Sequence, residues 1–275
     1  MRAVELAQVD AEREFGGKAV KLGEAVRAGL PVPPGFAFDV ELVEAVARGD
    51  RGSHEQVVRA FESVGGPVAV RSSAIGEDSG ESSFAGQHLT VLNVTTAAQA
   101  VAAVVQVRAS AYAASARAYR RRRGLDDAPR MAVVLQRLVI PDCAGVMFTR
   151  NPIDGRDERL IEAARGLGES VVAGLVTPDT YRVGRDGEVL EVEVGEQHLA
   201  VRALPEGGTA EEPLESRAAQ VPCLAPPDLA RLHDLATRSE ALYGRDLDIE
   251  WAIAADRVYL VQSRAITTLA PQLAA

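Results

Sequence analysis

The chain has 275 residues, of which 47% are apolar and 25% charged, ordinary proportions for a globular protein long enough for one large domain or two lobes. Its formal charge of −9 excludes a general attraction to nucleic acid or anionic membranes, so an anionic ligand needs locally placed cations. The opening MRAVELAQVDAEREF has no apolar signal core and no run approaches membrane-spanning length; Cys143 and Cys223 are far apart and form no CxxC. The expectation is a cytoplasmic protein with no nucleic-acid or membrane partner, no disulfide framework and no zinc site.

In chain order, residues 14–29 read as a glycine-opened segment running into a helix, with Val20, Leu22 and Val26 as core candidates. Gly29-Leu30-Pro31-Val32-Pro33-Pro34-Gly35 cannot be helical and leads into the apolar Phe36-Ala37-Phe38. Residues 41–64 have helical composition broken at Gly49-Asp50-Arg51-Gly52. Residues 67–71 predict a short strand emptying into a loop of small residues, 71–87, and residues 88–94 a second strand. Residues 97–123 predict a long helix; its run Arg117, Arg120-Arg121-Arg122-Arg123 reads as a solvated helix terminus rather than a polyanion patch. Residues 131–136 are a buried-type strand, and residues 145–150, 160–164 and 180–183 are short and strand-like. The Pro-, Glu- and Gly-rich residues 203–227 predict a surface excursion. Leu229, Leu232, Leu235 and Leu242 then lie near helical spacing before a stop at Gly244. The class is α+β, with an N-terminal lobe over residues 1–136, a second lobe over 137–268 and a tail, 269–275.

Three stretches carry chemistry. The loop from Arg71 through Ser72 and Ser73 to Gln87 contains Gly76, Gly80 and Gly86, whose backbone can approach phosphate closely, and serine hydroxyls that can donate to it. Arg71, at a strand end, would be its fixed cation, while Glu77, Asp78 and Glu81 would repel phosphate; composition alone fits an ordinary surface loop equally well. Gly16-Gly17-Lys18 offers another close-approach backbone and a point charge, though it is no P-loop. Near the end, residues 247–253 and 258–264 each alternate apolar and polar residues, as half-buried strands do. With a three-residue turn at Ala255-Asp256-Arg257, Glu250 stands opposite Gln262 and Asp248 opposite Arg264. That face would join a carboxylate and an amide oxygen, suited to Mg²⁺, to a guanidinium suited to phosphate; a solvated hairpin face is the alternative.

Together, Gly16-Gly17-Lys18, residues 30–36 (LPVPPGF), 68–74 (VAVRSSA), 83–87 (SFAGQ), 145–152 (GVMFTRNP), Ile161-Glu162-Ala163 with Gly166-Leu167-Gly168-Glu169, and Asp248-Ile249-Glu250-Trp251 resemble the N-terminal nucleotide-binding domain of phosphoenolpyruvate synthase. Pyruvate phosphate dikinase and rifampicin phosphotransferase share that domain, and the resemblance runs in order from about residue 14 to 268. It implies a two-lobed ATP-grasp fold with ATP held between the lobes. It implies Lys18, Arg71 and Ser72 at the phosphates, the segment Gln136, Arg137, Leu138 and Val139 at the adenine, and Glu162 as an acidic nucleotide contact. Glu250 and Gln262 match the magnesium pair, and Arg264 the arginine on the terminal phosphates; Arg264, Lys18 and Arg71 would carry catalysis. Thr149 and Arg150 lie in a strong motif, with a structural role and an indirect one equally open.

In complete enzymes of this kind the domain phosphorylates a histidine in a Gly-Gly, Ser-His context on a separate carrier domain. His54, His88, His198 and His233 all lack that context, and the chain ends about where the family's linker begins. The reading is a phosphotransferase module that uses Mg-ATP and passes a phosphoryl or pyrophosphoryl group to a histidine on a carrier protein. The alternatives are a stand-alone kinase acting on a small molecule and a non-catalytic ATP-binding regulatory subunit.

Overall fold

The computed structural model describes residues 1–76, 89–113, 129–215 and 220–266. The chain folds as two units, the first taking residues 1–27, 33–138 and 204–208 and the second residues 28–32, 139–203 and 209 onward. As expected, the class is α+β.

The first unit rests on five antiparallel strands, β1 (Ala3–Glu5), β2 (Gly35–Phe38), β3 (Val68–Ala74), β4 (Thr90–Val94) and β5 (Met131–Arg137), ordered β1-β2-β5-β3-β4. Its helices are α1 (Glu12–Arg27), α2 (Val40–Ala47), α3 (Arg51–Val64) and α4 (Ala97–Ser110). Side-chain caps start three of them: Asp39 accepts from the Leu42 N–H, Asp50 from Ser53, and Thr96 with Gln99 closes a reciprocal box. One sheet face and helices α2, α3 and α4 share a core containing Phe38, Leu42, Val57, Val70, Val104 and Leu135. The opposite sheet face packs against α1.

Strand β3 runs three residues beyond the expected Arg71. Ser72, Ser73 and Ala74 continue the ladder with β5, pairing Val133, Ala132 and Met131, so the start of the expected loop is buried strand. Its small side chains fit because one face lies beneath α1. Residues 77–88, most of that loop and including His88, and the arginine run within residues 114–128 lie outside the described residues.

The second unit contains six antiparallel strands ordered β13-β12-β6-β7-β8-β9. They are β6 (Cys143–Phe148), β7 (Arg159–Arg165), β8 (Asp179–Val183), β9 (Val189–Glu193), β12 (Leu247–Ala254) and β13 (Arg257–Ala265). Between β9 and β12 come β10 (Leu199–Ala203) and β11 (Thr209–Pro213), a separate antiparallel hairpin whose second strand lies within the expected surface excursion. A one-turn helix, α5 (Glu169–Val172), follows β7, and α6 (Pro226–Tyr243) buries Leu229, Leu232 and Leu235. Leu242, expected in the same stripe, is 37% exposed in the last turn, where the helix ends at Gly244. The two cysteines, 80 positions apart in sequence, are both free, and the Cys143 thiol donates to the Cys223 carbonyl at 3.1 Å, because β6 and the segment before α6 meet in space.

Among the described residues no helix is long and apolar enough to cross a membrane.

Candidate functional site

In the first unit, the chemistry starts with a break in a helix. Gly16 has φ 77° and ψ 160°, so the helical run of α1 restarts at Gly17 and exposes a fresh N-terminal turn at Gly17-Lys18. Ser73 holds this turn in place: its hydroxyl donates to the Phe15 carbonyl (2.7 Å) and accepts from the Ala19 N–H (3.1 Å). A Cβ at position 16 would stand 2.2 Å from the Ser73 carbonyl oxygen, so glycine is required both by φ and by space.

Two residues before Ser73, and so on the same face of β3, is Arg71. Its guanidinium reaches the Gln136 side-chain oxygen at 3.5 Å, and the Gln136 amide donates to the Pro33 carbonyl at 3.1 Å. Strand pairing explains this contact, since Gln136 lies opposite Ala69, one step along the same face from Arg71. Lys18, Arg71 and Gln136 are all buried, at 7%, 6% and 2% exposure. Strand alternation sends the Ser72 side chain to the opposite face, so the hydroxyl beside α1 belongs to Ser73, a residue not singled out from sequence. In the expected adenine segment, the Arg137 N–H donates to the Pro34 carbonyl and the Leu138 N–H to the Pro67 carbonyl. Neither N–H is therefore left for a base. Val139, the last of the four, belongs to the second unit.

In the second unit, register builds the site. Gln262 pairs with Glu250, Glu250 with Val146, Val146 with Glu162, and Glu162 with Thr180. Directly paired residues point to the same side of an antiparallel sheet, so Gln262, Glu250 and Glu162 lie in one row across β13, β12 and β7. Two residues along, Asp248 pairs with Arg264 on the same face.

The expected pairings of this hairpin are present, but the expected turn is not. Ala254 pairs with Arg257, leaving a two-residue turn of Ala255 (φ 47°) and Asp256 (φ 60°). Both central residues are left-handed, as a tight hairpin following the sheet twist requires. The register then shifts between Glu250 and Trp251: Trp251 pairs with Leu260 and Glu250 with Gln262, so Val261 is a bulge residue. A shorter turn plus one bulged residue gives the same offset as a three-residue turn with none.

The face is rich in negative charge. Arg264 donates from Nε (2.8 Å) and approaches from Nη2 (2.7 Å) to one oxygen of Asp248. The other oxygen, Oδ1, is buried and has no hydrogen-bond partner. Burial pushes the Asp248 carboxyl above its usual range, against the opposing pull of Arg264 and with added repulsion from Glu250. Burial likewise raises Glu162, reinforced by the charge of Asp248. Among the described residues no three His, Cys, Asp or Glu side chains converge as a metal cage. Glu250 and Gln262 would thus offer a divalent ion two oxygens, which suits Mg²⁺ completed by phosphate and water.

Thr149 and Arg150 brace this arrangement. The Thr149 hydroxyl accepts from the Leu247 N–H at 2.9 Å, and Arg150 Nε donates to Asp246 at 2.7 Å, holding the start of β12.

Residues 41–274 match the family described as pyruvate phosphate dikinase, AMP/ATP-binding domain. Over 205 residues the chain is 44% identical to a rifampicin phosphotransferase of Streptomyces sviceus, covering 74% of this chain and 24% of that protein. A rifampicin phosphotransferase of Streptomyces sp is 36% identical over 313 residues, covering 98% and 36%. A probable phosphoenolpyruvate synthase of Archaeoglobus fulgidus is 35% identical over 302 residues, covering 92% and 40%. The chain therefore spans 24% to 40% of the length of these three relatives. By this match over most of its residues, the chain belongs to the pyruvate phosphate dikinase AMP/ATP-binding domain family.

Proposed function

We propose that the chain binds Mg-ATP as the ATP-dependent phosphotransferase module of a phosphoenolpyruvate synthase-like system, and that it passes a phosphoryl or pyrophosphoryl group to a histidine outside this sequence. One observation carries the reading: the row Gln262, Glu250, Glu162, with Asp248 and Arg264 beside it on the same face. Three carboxylates, two of them with raised affinity for protons, face one guanidinium there. Such a face favours a cation, and the excess charge suits a divalent ion. Magnesium held by Glu250 and Gln262 would neutralise charge on the phosphate oxygens.

The chain's own groups do the rest. Lys18, on a fresh helix turn, and Arg71, held by Gln136, supply two buried cations for phosphates. Arg264, oriented by Asp248, supplies a third that is positioned before the reaction begins. Gln136 to Val139 is proposed to flank the base, with the N–H groups of Arg137 and Leu138 excluded from that contact. Glu162 is proposed as an acidic nucleotide contact.

The test is incubation of the purified chain with labelled ATP and Mg²⁺, alone and with an isolated histidine-carrier domain of a phosphoenolpyruvate synthase. The expected result is Mg²⁺-dependent nucleotide binding by the chain alone, and acid-labile label on the carrier when both are present, with AMP marking pyrophosphoryl and ADP phosphoryl transfer. Label passing to a small molecule without any carrier would replace this reading with a direct kinase. Lack of ATP binding in calorimetry would overturn it altogether.

A further inference from the structure

We propose that Cys143 and Cys223 form a redox-sensitive dithiol that hydroperoxides convert to an intramolecular disulfide. The pair lies on the side of the sheet opposite Glu250, since Cys143 alternates with Ala144 and Val146, so the proposal is independent of the nucleotide reading. The Cys143 thiol donates to the Cys223 carbonyl at 3.1 Å, so the Cys143 sulfur lies directly against the second cysteine.

Backbone bonds, rather than chance side-chain placement, hold the two cysteines together. Cys143 begins β6 and is buried at 5% exposure; Cys223 is half-buried and lends the pair access to solvent. The Cys223 N–H donates to Asp179 at 2.8 Å, and the next residue, Leu224, donates to the Tyr181 hydroxyl at 3.1 Å. Asp179, itself 1% exposed, also accepts from the Gly195 N–H at 2.9 Å. These contacts fasten the Cys223 backbone to β8, two strands from Cys143. Hydrogen bonding from the second thiol and the nearby Arg165 favour the thiolate of Cys143, while the thiol of Cys223 is pushed up by its partner and by burial. A sulfur with thiolate character beside a second cysteine is the arrangement in which a first oxidation product can be captured as a disulfide.

The chemistry balances with the peroxide as oxidant. One sulfur attacks the peroxide, so an S–O bond forms as the O–O bond breaks, and water (or alcohol, from an organic hydroperoxide) leaves with the thiol proton. The second sulfur displaces the hydroxyl from the first, forming the S–S bond; that hydroxyl departs as water with the second thiol proton. Two electrons pass from the sulfurs to the peroxide.

The chain contains two cysteines in all, so any intramolecular disulfide joins this pair. The experiment treats the purified, fully reduced chain with hydrogen peroxide under native conditions, beside Cys143→Ser and Cys223→Ser. Expected are loss of both titratable thiols, a mass decrease of about 2 Da, and a non-reducing digest in which the two cysteine peptides are joined and separated again by dithiothreitol. Each single variant should instead gain oxygen or form a disulfide-linked dimer. If the wild-type chain gains oxygen at both sulfurs, or links only between chains, the proposal is wrong; this outcome is read on the native sequence and does not depend on a variant folding.

Discussion

The two units position their candidate residues in opposite ways. In the first unit, backbone conformation does the positioning: a left-handed glycine restarts a helix, a serine pins the new turn, and buried cations lie beside it. In the second unit the backbone is regular apart from one bulge, and strand register alone aligns Glu162, Glu250 and Gln262. The set in the first unit is positive and the set in the second is mainly negative. A conformational site fails when one residue is given the wrong shape, whereas a register site tolerates changes in its turn as long as the offset is kept.

The largest expected effect tests the negative half. Arg264→Ala should lower turnover by about a thousandfold or more while nucleotide affinity stays within about tenfold, because a pre-positioned cation acts most on the transition state. Turnover assays and calorimetry separate the two, and wild-type turnover would remove Arg264 from the mechanism. For the conformational half, Gly16→Ala must adopt an unfavourable φ and push a Cβ into the Ser73 carbonyl. A loss of about 2 kcal/mol or more in urea unfolding, with weaker Mg-ATP binding, is expected. An unchanged midpoint would show that the kink at Gly16 is not the element positioning Lys18.

A third contrast uses pH. Glu162 binds its proton more tightly in the folded chain than in the unfolded one, so its contribution to stability is present at acid pH and is lost as pH rises past the ordinary carboxylate range. Glu162→Gln should therefore make the chain more stable at neutral pH and flatten the pH dependence of its urea midpoint. A less stable variant at neutral pH would contradict the assigned direction.

The smallest effects sharpen the register argument. Removing Val261 deletes the bulge residue yet leaves Glu250 opposite Gln262, so Mg-ATP affinity should stay within about threefold of wild type, as the altered local twist is the only cost. A collapse in affinity would mean that the bulge aims the side chains rather than merely setting their offset. Ala255→Gly relieves a left-handed alanine and should raise the thermal midpoint, by about 0.5 to 1 kcal/mol of stability.

Much of the second half was legible because alternation is a local signal. The period-two pattern in residues 247–253 and 258–264 contained the Glu250–Gln262 and Asp248–Arg264 pairs. It could not reveal how the offset arises, since a bulge has no composition of its own and a two-residue turn of Ala and Asp lacks the usual glycine. The alternation sets Asp248 opposite Arg264 but carries no sign of its burial, which depends on the tertiary fold. Glu162, on another strand, entered through family resemblance alone. In the first half, Gly16-Gly17-Lys18 and Arg71 were visible as motifs, but the Ser73 bonds join residues 58 and 54 positions away. The opposite facing of Ser72 followed from a strand longer than predicted.

By itself, then, the sequence determined what depends on neighbours along the chain: the helix stop at Gly244, the α+β alternation, the acidic-amide-arginine hairpin, and the ordered motifs that mark the family. Tertiary structure alone decided which strands became neighbours. It thereby aligned Glu162 with Glu250, buried one oxygen of Asp248 without a partner, and joined Cys143 to Cys223 across 80 positions. Side-chain periodicity reports which way a residue points, but proximity between distant segments is set by strand order and packing, which no local pattern encodes.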